Sequence, residues 1–216
     1  SAELSGQGDI AAVLGDGGLR IAGDLFVDCT GFHALLLQRQ LGVPSHSFAG
    51  NLFNDAAVVL PTPTPPRAAL PVQTVSRALS AGWSWHIPLT NRVGNGYVYS
   101  TSFLSADAAE AELRASLGLA EGEGQARHLK MKVGQVARHW HRNCLALGLS
   151  QGFIEPLEAT ALHLVQAGIE SFINRYEEGG FTARHQPRFN AEMAERFERV
   201  RDYIVAHYKL NTRTGV

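Results

Sequence analysis

Two glutamates, Glu155 and Glu158, stand in a mostly apolar stretch, residues 150–165, which reads SQGFIEPLEATALHLV. The stretch follows an apolar strand pattern that ends at Gly148, and a helix pattern begins near Thr160. Backbone N–H groups at a helix start lack intrahelical partners and carry partial positive charge, so an anion, a phosphate or a reduced cofactor ring fits there. A plain strand–loop–helix connection, with Glu158 as a cap or a partner of the helix dipole, is the alternative, and residue types alone favour it.

Two further stretches carry residues that suit ligand binding. The sequence DLFVDCTGF, residues 24–32, ends a strand pattern at Thr30 and Gly31, where a glycine backbone can approach a ligand closely. The sequence GWSWHIPL, residues 82–89, places Trp83 and Trp85 on one face of a strand, where two indoles can line a cavity. A strand-to-helix turn and an ordinary core pair are the respective alternatives, and each is the commoner arrangement.

The histidines and cysteines do not predict a metal site. His139 and His141 alternate as strand residues do, but no cysteine or carboxylate nearby completes a ligand set, so we expect surface or capping histidines. Cys29 and Cys144 flank apolar strand patterns, which favours buried free thiols over a disulfide. Free thiols in turn indicate a cytoplasmic location.

Composition excludes several classes of protein. The chain has 216 residues, 45% of them hydrophobic and 18% charged, which is enough for a substantial core in one domain or one and a half. Its net charge of −1 offers no electrostatic footprint for nucleic acid or an anionic membrane. No apolar run reaches membrane-spanning length. Both ends look cut, since the chain starts at Ser1 and stops directly after a helix pattern, and we expect part of a longer protein.

The elements that must position these residues alternate between strands and helices. Strand patterns flank GDGG at residues 15–18, and HALLLQRQLG predicts a short helix. DAAVVLPT predicts a strand, PTPTPPRAALP a loop, and GWSWHIPL with GYVYSTSFL a β-hairpin. A helix is predicted after Ser105. LKMKVGQVARHW predicts a strand pair, and NCLALGLS predicts a buried strand. Two long amphipathic helices are predicted for the rest of the chain. This order predicts an α/β or mixed α+β fold with an antiparallel sheet.

Taken together, three of these stretches resemble the flavin-dependent halogenases of the tryptophan halogenase family. The W-x-W-x-I-P element at Trp83, Trp85, Ile87 and Pro88 is that family's signature against other flavin monooxygenases, and IEPLEAT resembles its EPLEST segment. LFNDAAVVLPTP, ESFINRY and FNAEMAERFERVRDYIVAHY extend the resemblance from about residue 24 to about residue 213.

The resemblance implies a flavin-monooxygenase-like FAD fold with a largely antiparallel substrate sheet and carboxy-terminal helices. Residues 1–50 would form part of the FAD module, 51–135 the substrate-domain sheet with one helix, 136–185 a return to the FAD module, and 186–216 the start of the helical region. The implied reaction is halogenation of an indole or another electron-rich aromatic through hypohalous acid. Reduced FAD from a separate flavin reductase and a chloride or bromide ion would take part.

The resemblance also implies roles for particular residues. Glu158 would be the catalytic carboxylate beside the substrate, and the amides of Thr160 and Ala161 would bind halide. The residues that would bind the cofactor are Thr30, Gly31, Gly148 and Leu149, together with Thr160 and Ala161. The residues that would line the cavity are Trp83, Trp85, Pro88 and Phe153.

This sequence departs from the family pattern in several places. Ala159 replaces a serine and Ala161 a glycine, and the family's dinucleotide fingerprint and essential lysine have no match here. Lys130, Lys132 and Lys209 do not stand in a matching context. A flavin-dependent hydroxylase, which Trp83 and Trp85 argue against, and a catalytically inactive partial chain are the alternatives.

Overall fold

The computed structural model describes residues 1–64 and 71–213, which fall into two compact units. The first unit consists of Ser1–Phe48 and Lys132–Lys209, and the second of Ala49–Met131 and Leu210–Val216. Most of the predicted proline-rich loop, residues 65–70, lies outside the described residues.

Strands and helices alternate along both units. The strands are β1 Ala2–Leu4, β2 Ile10–Leu14, β3 Arg20–Ala22, β4 Phe26–Asp28, β5 Ser45–Ser47, β6 Ala56–Val59, β7 Val75–Leu79, β8 Gly82–Pro88, β9 Val93–Tyr99, β10 Arg127–Lys130, β11 Gly134–Val136, β12 Trp140–His141, β13 Cys144–Ala146 and β14 Gly152–Phe153. The α-helices are α1 Ala106–Leu117, α2 Thr160–Glu178 and α3 Gln186–Lys209.

Three small sheets make up the strand layer of the first unit. Strands β1, β2 and β3 form an antiparallel sheet, and the predicted GDGG turn joins β2 to β3. Strand β11 pairs antiparallel with both β5 and β14, while β13 lies between β12 and β4 and runs parallel to β4. Parallel strands place their carboxyl ends at one edge, which is where α/β folds usually bind ligands.

Helices α2 and α3 pack through an aromatic cluster against β12. The Trp140 ring meets Phe172 at 4.9 Å and Phe189 at 5.9 Å between centroids, both edge to face. Arg175 of α2 reaches Glu192 of α3 at 2.8 Å, which joins the two helices at their partly exposed side. Aromatic packing of this kind adds to the area buried and fixes how the helices lie against the sheet.

The second unit is one antiparallel sheet with a helix on it. Its strand order is β10-β6-β9-β8-β7, and α1 packs on β6 and β9. Buried Tyr97, Tyr99 and Leu113 belong to the core between them. Ser105 begins α1 by accepting a hydrogen bond from the N–H of Ala108 at 3.3 Å, so the predicted cap is confirmed.

Several local predictions are confirmed and some are wrong. The two hairpins, the buried strand β13 and helices α1 to α3 form where the patterns placed them. The short helix predicted before Gly42 is Leu35–Gln40, wound with i→i+5 hydrogen bonds. The predicted strand pair in LKMKVGQVARHW is wrong, because β10 pairs with β6 in the second unit and β11 with β5 and β14 in the first.

The burial of two side chains is the opposite of what the sequence predicted. Cys29 is exposed, since it follows the last residue of β4, although both cysteines are free thiols as predicted. His139 is fully buried, because its ring packs on Phe197 of α3 at 5.1 Å between centroids.

Among residues 1–64 and 71–213, no helix combines the length and apolarity needed to span a membrane.

Candidate functional site

Two glycines mark the carboxyl ends of the parallel strands β4 and β13. Gly31 and Gly148 both have φ of +67°, and a Cβ at either position would meet no atom within 4 Å. The one-turn helices that these glycines open, Gly31–His33 and Gly148–Ser150, contact each other. Their left-handed backbone and open surroundings suit the close approach of a flat or phosphorylated cofactor such as FAD.

Asp28, the last residue of β4, holds this edge in place. Its buried carboxylate accepts hydrogen bonds from the hydroxyl of Thr30 at 2.6 Å and from the N–H groups of Leu36 and Leu37 at 2.9 Å each. The Thr30 hydroxyl also accepts from the N–H of Leu35 at 2.8 Å. The side chain of Thr30 is therefore engaged in the fold, and what this loop offers a cofactor is chiefly the backbone at Gly31.

A second contact ties β13 to the same edge. The hydroxyl of Ser150, which is fully buried, donates to the carbonyl oxygen of Asp28, and that carbonyl also accepts the N–H of Leu147 at 3.0 Å. Sequence patterns did not single out Asp28 or Ser150. The only available signal for Asp28 was an acidic residue directly before a strand-to-helix turn, which is a common capping position.

An apolar cavity of about 180 Å³ lies between the turn after β13 and the start of α2. Four residues predicted for the site line it, namely Gly148, Leu149, Phe153 and Ala161. Phe153 also meets Phe32 edge to face at 5.6 Å between centroids, which connects the cavity wall to the loop after Gly31. The structure thus brings predicted cofactor-binding and halide-binding residues to one place in the first unit.

Glu155 and Glu158 have different environments. Glu155 is fully buried and accepts a 2.5 Å hydrogen bond from the hydroxyl of Tyr208. The Glu158 side chain is 47% exposed, and its Oε1 lies 3.3 Å from Nε2 of His207. Both partners belong to the last turn of α3 and lack any local sequence signal, because they are brought in by the packing of that helix.

Glu158 does not cap α2, so the capping alternative is wrong. Ala159 occupies the N-cap position with φ of 53°, and its side chain accepts no hydrogen bond from the helix. Thr160 and Ala161 are the first residues of the helix, where backbone N–H groups lack intrahelical partners. The Thr160 hydroxyl oxygen is buried and has no hydrogen-bond partner among the described residues.

In the second unit, the tryptophan pair lies on β8 as predicted. Trp83 faces Val98 and Trp85 faces Gly96 across the ladder to β9, and the two ring centroids are 6.1 Å apart. Trp83 is buried and Trp85 is half-buried. Pro88 ends the strand opposite Val93. The shared face and the pairing with GYVYS are confirmed, while the cavity-lining role stays a prediction.

Neither thiol nor imidazole chemistry is supported at the buried positions. Burial raises the pKa of the Cys144 thiol to about 12, so it stays protonated and unreactive. Burial lowers the pKa of His139 to about 4, so its ring is neutral. No cluster of metal-ligating side chains occurs in the part of the chain that the structure describes.

Comparison with known proteins places this arrangement in a family. The tryptophan halogenase family model matches residues 1–216. A 7-chloro-L-tryptophan 6-halogenase of Kutzneria sp. (strain 744), KtzR, is 40% identical over 190 residues, which are 88% of this chain and 37% of that protein.

Solved structures agree with the sequence relatives. The tryptophan 6-halogenase SttH from Streptomyces toxytricini superposes with a TM-score of 0.93 at 38% identity, over 100% of this chain and 42% of that one. BrvH, a flavin-dependent halogenase from Brevundimonas sp. BAL3, superposes with a TM-score of 0.92 at 40% identity, over 100% of this chain and 44% of that one. The chain therefore spans less than half the length of these relatives. The predicted mixed fold with antiparallel sheets and carboxy-terminal helices is confirmed, and the chain belongs to the tryptophan halogenase family.

Proposed function

We propose that the protein carrying this chain is an FAD-dependent halogenase of an indole or another electron-rich aromatic ring. The observation that carries the proposal is Glu158, a half-exposed carboxylate placed directly before α2 by a turn that matches the family motif. The substrate, the halide and a flavin reductase as source of reduced FAD are part of the proposal, as is a cytoplasmic location.

The first unit is proposed to contribute part of the FAD site. The open, left-handed backbone at Gly31 and Gly148 would lie against the cofactor, and Leu149 with Phe153 would supply apolar contact from the cavity wall. Bound reduced FAD would supply the electrons with which oxygen converts a halide ion into an electrophilic halogen species. Trp83, Trp85 and Pro88, which belong to the second unit, are proposed to line a cofactor or substrate cavity.

The start of α2 is proposed as the halide site. The N–H groups of Thr160 and Ala161 are at the end of the helix that carries partial positive charge, which favours an anion. Ala161 also lines the apolar cavity, where the low dielectric would strengthen the attraction between a halide and these N–H groups. Ala161 keeps the backbone N–H, although its methyl group restricts approach more than a glycine would.

Glu158 is proposed to act on the aromatic ring. When a ring carbon bonds to the halogen, the ring becomes cationic, and a carboxylate nearby stabilises that charge. The ring then becomes aromatic again by breaking the C–H bond at that carbon, and its proton goes to a Glu158 oxygen. A carboxylate that is half exposed can pass this proton on to water.

Glu158→Gln tests the proposal in the full natural protein. Product formation from tryptophan should fall by roughly one to four orders of magnitude, the size of a lost acid–base or electrostatic contribution. Oxidation of reduced FAD should continue, because it does not involve this carboxylate. Product is measured by chromatography with chloride and with bromide.

Glu177→Gln is the matched control, since Glu177 is an exposed glutamate of the same helix. It should leave product formation unchanged. The thermal midpoint of both variants separates a loss of turnover from a loss of stability. Wild-type halogenation by Glu158→Gln would show that the proposed role is wrong.

A further inference from the structure

The last turn of α3 contacts both carboxylates of the IEPLEAT turn. Tyr208 donates its hydroxyl proton to Glu155 Oε2 at 2.5 Å, and the neighbouring His207 places Nε2 3.3 Å from Glu158 Oε1. We call these four side chains the α3 clasp. Glu155 is fully buried and Tyr208 is 37% exposed, so this pair anchors the turn from its buried end, whereas both members of the His207–Glu158 pair are partly exposed, at 32% and 47%.

A second contact of His207 fixes which ring nitrogen carries a proton. Nδ1 lies 2.9 Å from the carbonyl oxygen of Tyr203. Because a carbonyl oxygen only accepts hydrogen bonds, Nδ1 must be protonated. The Tyr203 ring meets the imidazole edge to face at 4.7 Å between centroids, which restricts rotation of the imidazole.

This assignment decides what Nε2 presents to Glu158. With Nδ1 protonated, a neutral ring would present the Nε2 lone pair to a carboxylate oxygen that also has only lone pairs, which is repulsive. A proton on Nε2 turns the same contact into a favourable imidazolium–carboxylate pair. The contact therefore fits a charged His207.

Glu158 depends on this pair for its orientation. Within residues 1–64 and 71–213, His207 is the only cationic partner found within 4 Å of its carboxylate. Ala159, in left-handed conformation, separates Glu158 from the helix, so the first turn of α2 gives its side chain no support.

We propose that His207 is a positioning residue for Glu158. Its Nε2–H holds the Glu158 carboxylate in one orientation, while the second oxygen stays available. This inference rests on the proposed function in one respect, that Glu158 is the carboxylate which receives the ring proton. His207 itself does not touch the substrate.

The pairing is tested by nuclear magnetic resonance on this chain, independently of activity. In the ¹⁵N-histidine-labelled chain, both nitrogens of the His207 ring should give signals of the protonated type. In Glu158→Gln, the amide can donate to Nε2, so Nε2 should change to the unprotonated type while Nδ1 stays protonated. The His207→Gln spectrum assigns the signals.

The functional consequence is tested with two substitutions in the full natural protein. His207→Phe removes both nitrogens and should lower kcat for tryptophan halogenation by roughly 10- to 100-fold, the scale of a misplaced catalytic group, with little change in KM. His207→Gln keeps an N–H near the position of Nε2 and should restore most of kcat. His163→Phe, at an exposed histidine of α2, is the control and should behave as wild type.

The outcomes separate the inference from the function on which it rests. An unprotonated Nδ1 in the wild-type chain, or an Nε2 signal that Glu158→Gln does not change, overturns the pairing. Wild-type kcat in His207→Phe overturns the positioning role. If the resonance results are as expected but the wild-type protein forms no halogenated product, the pairing stands and the proposed function is wrong.

Discussion

His139 shows at the scale of one residue how burial changes a side chain's chemistry. Its Nε2 pairs with Gln135 Oε1 at 3.1 Å, its ring packs on Phe197, and it is fully buried. This environment lowers its pKa from 6.5 to about 4. The alternation of residues 138–142 predicted a strand position for His139, which instead lies in the bend between β11 and β12, and the pattern could not reveal that Phe197 of α3 packs on its ring.

We expect the neutral state of His139 to make the first unit sensitive to acid. As pH falls below 6.5, His139 becomes protonated in the unfolded chain, whereas in the folded chain it stays neutral until pH is near 4. The free energy of unfolding therefore decreases between these two pH values. Between pH 7 and pH 5 the loss from this residue should be about 2 kcal/mol. Urea unfolding at a series of pH values measures it.

His139→Gln removes the titrating group and should flatten this part of the pH dependence. His33→Gln, at an exposed histidine of the same unit, is the matched control and is measured over the same pH series. Parallel curves for wild type and His139→Gln would mean that another group causes the acid sensitivity.

At the scale of the element, the β8–β9 ladder depends on a missing side chain. Gly96 faces Trp85, and a Cβ there would lie 2.1 Å from the indole. The glycine therefore provides the space that the Trp85 ring occupies. Sequence alternation predicted that both tryptophans share a face, but it did not identify this glycine, because cross-strand register depends on the turn and on both strands.

Gly96→Ala should displace the Trp85 ring and lower the free energy of unfolding by about 1–3 kcal/mol, the cost of overpacking. Gly94→Ala, two residues earlier on the same strand, is the control, since its new methyl would meet nothing nearer than 3.8 Å. Denaturant midpoints and tryptophan fluorescence report the two effects. Equal stability of both variants would contradict the close contact.

Element prediction succeeded where the signal is local and failed where it is not. Ser105 as a helix cap and GDGG as a turn act on neighbouring residues, and both were found in the sequence. The partners of β10 and β11 lie far away in the chain, so no local pattern specifies them. Glu158 could be proposed as a site residue because it stands in a local motif. His207 could not, because its contact with Glu158 joins distant positions of the chain.

At the scale of the whole molecule, cofactor affinity depends on what the chain contains. The backbone at Gly31 and Gly148 suits FAD, but the sequence has no G-x-G-x-x-G fingerprint for the pyrophosphate. We therefore expect the 216-residue chain to bind FAD weakly or not at all and the full natural protein to bind it more tightly. Flavin fluorescence titration measures both, and sub-micromolar affinity in the chain alone would contradict the expectation.

The α3 clasp also has a consequence for the order in which this protein is made. Tyr208 and Glu155 are separated by 53 positions, so during synthesis the IEPLEAT turn leaves the ribosome well before the helix end that holds it. Contacts between distant positions form late, because a long loop must close before they stabilise anything. The contacts of Glu155 and Glu158 with α3 can therefore form only after that helix has been translated and has packed.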